Sequence, residues 1–126
     1  MSRRLPPVSE ACGLPALEPS RVRILAEELG DSAPAHRFVA TYLSMLPARF
    51  LRISDGVCQR DPDASMDAIL SLKISSAMVG ALETERHCRA MEAMVRCEQF
   101  ADAASTLPAL RRSTEDCLAV WPQTIG

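Results

Sequence analysis

Seven side chains of this 126-residue chain are of the types that ligate metals, pair as disulfides or attack electrophiles: Cys12, Cys58, Cys88, Cys97, Cys117, His36 and His87. Their spacing argues against all three chemistries. Five cysteines are an odd number with no Cys-x-x-Cys pair, a poor framework for disulfides and for zinc. Neither histidine has a second ligand at metal spacing or neighbours resembling a catalytic triad. The thiols read as reduced and structural, and no metal, cofactor or hydrolytic centre is expected. The remaining chemistry-bearing group is Leu70-Ser71-Leu72-Lys73-Ile74-Ser75-Ser76-Ala77-Met78-Val79-Gly80-Ala81, where an ammonium stands three residues, or one helical turn, after a leucine.

Composition narrows the classes of function. The length suits one domain with a real core, and a hydrophobic share of 48% is ordinary for a globular protein. A net charge of −2 with scattered basic residues gives no clustered cationic face for nucleic acid or an anionic membrane. Arg3 and Arg4 are followed by Pro6 and Pro7, and no apolar run is long enough for a signal peptide or a membrane span. The expectation is a soluble, cytoplasmic protein.

Five helices must position the segment. Residues 1–16, with Pro6, Pro7, Gly13 and Pro15, predict an extended or loosely docked tail ahead of one domain over 17–126. A first helix is predicted over Ser20 to Leu29, with Ser20 as N-cap, Val22, Leu25, Ala26 and Leu29 at helical spacing, and Gly30-Asp31 as stop. A second, Ala35 to Arg60, puts Phe38, Tyr42, Met45, Leu46, Phe50, Ile53 and Val57 on one face, with Pro47 bending rather than ending it. Asp61-Pro62 restarts the chain for a third, Pro62 to Val79, closed by Gly80. A fourth, Ala81 to Cys97, turns Thr84, His87, Cys88, Met91, Met94 and Val95 to one side, with the pairs Glu85/Arg89 and Glu92/Arg96 forming a solvated face. The last, Phe100 to Val120, repeats Phe100, Ala103, Ala104, Leu107, Leu110, Thr114, Cys117 and Leu118, continues the stripe at Trp121 and should bend at Pro108. No stretch has strand character, so the expected architecture is all-α: an up-and-down antiparallel four-helix bundle with a short leading helix.

The segment Leu70 to Ala81 resembles the signature helix of histidine-phosphotransfer (HPt) domains, which reads roughly His-x-Leu-Lys-Gly-Ser-x-x-x-x-Gly-Ala. Phe38 to Pro47 with Arg49 and Phe50 looks like that family's second helix, and Cys88-Arg89-Ala90-Met91-Glu92 is similar to the Cys-x-x-Leu-Glu of its fourth, so the resemblance covers about Leu17 to Trp121. It implies the same bundle fold. It also implies that Leu70 occupies the phosphoacceptor position, and a leucine has no lone pair to take up a phosphoryl group. Lys73 matches the family's lysine, which can screen an incoming phosphate, or is a surface lysine with a snorkelling stem. Ser75 and Ser76 match positions that allow close helix packing. Ile74 stands where the family has glycine.

At about 100° per residue, Ile69, Leu72, Ser76 and Val79 point toward the core while Met66, Leu70, Ile74, Ala77 and Met78 point away. A helix apolar on two faces either docks a partner or is covered by the tail or a neighbouring helix. The expected function is therefore a non-phosphorylatable HPt-like module of bacterial two-component signalling. It would bind a response-regulator receiver domain, or compete with a true phosphotransfer protein, through Met66, Leu70, Lys73, Ile74, Ala77 and Met78. Two alternatives stay open: a scaffolding protein that homodimerises through the same patch, and active phosphotransfer through His36 or His87.

Overall fold

The Asp61 carboxylate accepts a 3.0 Å hydrogen bond from the Ala64 amide, and Pro62 takes the first helical position, where no amide is needed. Eighteen residues later Gly80, at φ 80°, turns the chain into the left-handed region, and the Gly80 and Ala81 amides return to the Ala77 and Ser76 carbonyls. Local chemistry thus frames the helix that carries the Leu70 segment. The computed structural model describes residues 17–30 and 32–125. In them the helices are α1 Pro19–Leu29, α2 Ser32–Cys58, α3 Pro62–Val79, α4 Leu82–Arg96 and α5 Phe100–Ile125, and no strand occurs among the described residues. The tail expected over residues 1–16, the stop residue Asp31 and the side chains of Leu25, Leu29 and Trp121 lie outside what is described.

Links of two or three residues join α2 to α3, α3 to α4 and α4 to α5, so consecutive helices run antiparallel. α2 packs on α3, α3 on α4, α4 on α5, and α5 closes back on α2, a four-helix ring with α1 laid against α2 and α3. The core is a continuous apolar cluster that includes Val39, Leu46, Ile53, Ile69, Leu72, Met91 and Leu110. Its few polar groups are mostly paired: Tyr42 Oη and Ser76 Oγ share a 2.7 Å hydrogen bond, and Thr84 donates to Ser113 at 2.9 Å. Ser65 Oγ is buried without a partner among the described residues. It faces Gly56 of α2 closely: a Cβ built on Gly56 would lie 2.9 Å from the Ser65 amide nitrogen and 2.9 Å from its Oγ.

Several boundaries and faces differ from expectation. The first helix begins at Pro19, because Glu18 and not Ser20 is the N-cap; its carboxylate accepts from the Ser20 amide at 3.2 Å. Helix α2 starts earlier than Ala35 and stops at Cys58, α4 is a residue shorter at each end, and α5 runs past Val120. Pro47 and Pro108 are each carried inside a single continuous helix, with both rings exposed. Met45 and Leu118 are solvent-exposed members of otherwise buried stripes, and Glu85, expected on a solvated face, is buried with its carboxylate 2.8 Å from Arg89.

α1 acts as a clasp on the C-terminal end of α3. Leu17 is buried, the Glu18 amide donates to Gly80 O at 2.7 Å, and Arg21 donates to Ala77 O at 2.6 Å. Gly80 is required twice over here, by its positive φ and because a Cβ would stand 2.6 Å from Glu18 O.

Candidate functional site

The rotation of α3 follows from which residues it buries. Ser65, Ala68, Ile69, Leu72, Ser76 and Val79 face the bundle, so Leu70, Ile74 and Ala77 run along its outer ridge. Ile74 is 57% exposed and Met78 43%. Leu70 and Ala77 are half-buried, and Met66 leans against the core from the ridge's edge. The ridge carries no nucleophile at Leu70 and no phosphate-binding group at its crest.

The two flanks are polar and differ in kind. On the α4 side, Lys73 Nζ lies 2.7 Å from Glu92 Oε1, with the two side chains 21% and 15% exposed, and Arg96 reaches the other oxygen of Glu92 at 2.7 Å. The hydrogen bond from Lys73, together with the positive charges of Lys73 and Arg96, holds the Glu92 carboxyl below its ordinary pKa. Lys73 is therefore directed toward Glu92 of α4 rather than along the ridge. On the α2 side, Arg49 Nη1 donates to Ser75 Oγ at 2.8 Å and to Ser71 Oγ at 3.4 Å, while Ser75 Oγ donates to the Ser71 carbonyl at 2.9 Å. Arg49 Nη2 approaches Met45 Sδ at 3.9 Å, and further along Arg52 pairs with Asp67 at 3.1 Å.

Of the six residues picked out by sequence, Leu70, Ile74, Ala77 and Met78 share one surface, Met66 is partly withdrawn into the bundle, and Lys73 is turned to α4. Sequence reasoning missed Arg49 and Met45 as part of this face and Glu92 as the partner of Lys73. Ser75 and Ser76, read as packing positions, also make specific bonds, the first to Arg49 and the second to Tyr42.

The remaining reactive groups lie elsewhere. Cys88 and Cys117 are enclosed, and burial pushes their thiols up to about 12 and about 11. His87 is 13% exposed, 3.3 Å from Glu83, and burial lowers its pKa, an effect the Arg86 charge reinforces. It lies on the same flank of α4 as Met94, which meets Thr106 of α5, and so away from the α3 ridge. His36 is exposed near the start of α2. No group of three or more His, Cys, Asp or Glu residues able to hold a metal occurs among the described residues, and no described helix is long and apolar enough to cross a membrane.

In sequence the chain matches no family model and no curated protein. In three dimensions it is similar to the crystal structure of histidine-containing phosphotransfer protein B (HptB) from Pseudomonas aeruginosa PAO1. The TM-score is 0.77 over 88% of this chain and 95% of that one, at 17% identity. The fold is thus an HPt-like helical bundle, carried by a sequence only 17% identical to that protein's.

Proposed function

We propose that the protein is a non-phosphorylatable HPt-like module of bacterial two-component signalling, which docks a response-regulator receiver domain or competes with a true phosphotransfer protein for it. The observation that carries this reading is the ridge of α3, where Ile74 and Met78 are left exposed beside a half-buried Leu70 on a fold shared with a phosphotransfer protein. The likeness of this helix to the HPt signature implies that Leu70 takes the phosphoacceptor's place. Ile74 and Met78, each about half exposed, forfeit burial worth about 1 kcal/mol apiece, which a partner would recover. A small, transient contact of this kind has an affinity on the micromolar scale, about −8 kcal/mol. A histidine elsewhere is a weaker route, since His87 is largely enclosed on the flank of α4 away from this face.

The test is a titration of the purified protein against the host's receiver domains, with phosphotransfer from phosphorylated receivers run in parallel. Saturable binding without acid-labile label supports the reading. Absence of binding to every receiver, or a base-stable phosphate on His36 or His87, would overturn it. The same exposed ridge also suits a second copy of the chain, and a dimer in sedimentation equilibrium that Ile74→Asp dissolves would favour that alternative.

A further inference from the structure

We infer that Arg49 is the residue by which this face selects its partner, through a carboxylate on the rim of the partner's apolar surface; the inference rests on the docking function proposed above. An arginine presents five N–H donors in a fixed planar fork. Both Nη1 hydrogens of Arg49 are taken up by Ser71 and Ser75, and Nη2 has one long contact with Met45 Sδ. The edge formed by Nε and the second Nη2 hydrogen has no partner among the described residues. That edge is the one a carboxylate engages with two parallel hydrogen bonds.

The neighbouring cations are committed differently. Lys73 and Arg96 share the Glu92 carboxylate, and Arg52 pairs with Asp67. Arg49 has no carboxylate partner among the described residues. It is nevertheless half-buried and held at one edge by two hydroxyls on α3, one turn apart. A long side chain fixed in this way has already given up much of the rotamer freedom that binding would otherwise cost. Its neighbours Met45, Ile74 and Met78 are the exposed apolar residues of α2 and α3 at this seam. The surface is therefore apolar, and at its α2 edge it carries an oriented guanidinium that no described carboxylate pairs with. Its complement is an apolar patch bordered by an Asp or Glu.

The experiment measures binding of purified receiver domains to the wild-type protein, Arg49→Gln, Arg49→Lys and Ser75→Ala, with circular dichroism checking that each variant keeps its helicity. A two-bond charged contact predicts about a tenfold loss of affinity for Arg49→Gln, and nearly as much for Arg49→Lys, whose ammonium cannot form the fork. Ser75→Ala should weaken binding by a smaller factor, by loosening the side chain. The dependence of Kd on salt should flatten in Arg49→Gln. Replacing the partner's rim carboxylates one at a time by amides should find one that costs wild type about tenfold and costs Arg49→Gln nothing further. If receivers bind wild type and both Arg49 variants equally, the Arg49 inference is overturned and the docking function stands. If no receiver binds wild type, the docking function fails and the inference with it.

Discussion

Gly80 and Glu18 hold the two ends of the clasp together: the Glu18 amide donates to Gly80 O at 2.7 Å, and a Cβ on Gly80 would lie 2.6 Å from Glu18 O. Gly30 has nearly the same positive φ, 75° against 80°, but open space around it. The pair separates backbone strain from steric clash. Gly30→Ala should cost about 1 kcal/mol, the strain of a left-handed alanine. Gly80→Ala adds a clash with backbone and should cost about 3 kcal/mol or more. Urea denaturation of the two variants checks the ranking, and equal losses would mean that α1 does not clasp α3 in solution.

The Lys73–Glu92 pair makes stability fall in acid. The Glu92 carboxyl titrates below its unfolded value, so its contribution is fully present above the unfolded pKa of about 4.3 and is lost as pH falls through the lower folded value. Glu92→Gln should reduce stability at neutral pH by about 1 kcal/mol and flatten the acid limb below about pH 4.5. Chemical denaturation between pH 3 and 7 measures both, and an unchanged acid limb would show that the ion pair contributes nothing.

How much of this could be read in the sequence depends on whether the governing contact is local. Asp61, Pro62 and Gly80 act within a turn of themselves, and the bounds of α3 followed from them directly. The buried set Ile69, Leu72, Ser76 and Val79 followed from a 3.6-residue period. The start of α1 was misplaced by a local competition, since Glu18 can cap as well as Ser20 and Pro19 fits the first helical position. What stayed hidden were contacts set by how neighbouring helices are rotated against one another. Arg49 to Ser75 spans 26 residues, and Lys73 to Glu92 spans 19. No pattern along one helix reports which flank of the next it will meet. Glu85 differs from expectation too: its i, i+4 pairing with Arg89 reads as a solvated pair in sequence, whereas its side chain is only 12% exposed.

The hydrogen bond between Tyr42 and Ser76 fixes the same α2–α3 seam from the core side. Tyr42→Phe removes one partner and leaves Ser76 Oγ buried and unpaired, so it should destabilise by about 1 to 2 kcal/mol. Tyr42→Phe combined with Ser76→Ala should recover part of that loss, because no orphaned hydroxyl remains. Thermal denaturation of the single and double variants provides the comparison.

Thiol reactivity should divide the four cysteines among the described residues cleanly. Cys58 and Cys97 are exposed, whereas Cys88 and Cys117 are enclosed with thiols raised to about 12 and about 11. At pH 8 the thiolate reacts, so a disulfide reagent should label Cys58 and Cys97 within minutes and the enclosed pair only after denaturation. Peptide mapping of the labelled protein identifies the sites. Rapid native labelling of Cys88 would indicate that α4 opens from the bundle.

The last prediction tests the proposal that Leu70 takes the place of a phosphoacceptor. Leu70→His places an imidazole at a half-exposed helical position, and its propensity is about half a kcal/mol worse than that of leucine, so the fold should persist. Phosphoryl transfer from a receiver requires close, in-line approach to that imidazole. Ile74, one turn away and 57% exposed, projects a branched side chain into the space such an approach would use. Lys73 is held at 2.7 Å by Glu92 and gives the incoming charge little help until that pair breaks. The single variant should therefore accept little phosphate. Leu70→His with Ile74→Gly should accept measurably more, although the added glycine costs about 1 kcal/mol of helix stability. Adding Glu92→Gln frees the lysine and should raise transfer again. The measurement is acid-labile label from several phosphorylated receivers on proteins of equal helicity. If no combination takes up phosphate while all remain folded, the ridge is not a degenerate phosphotransfer face, and self-association through Ile74 and Met78 becomes the better account of it.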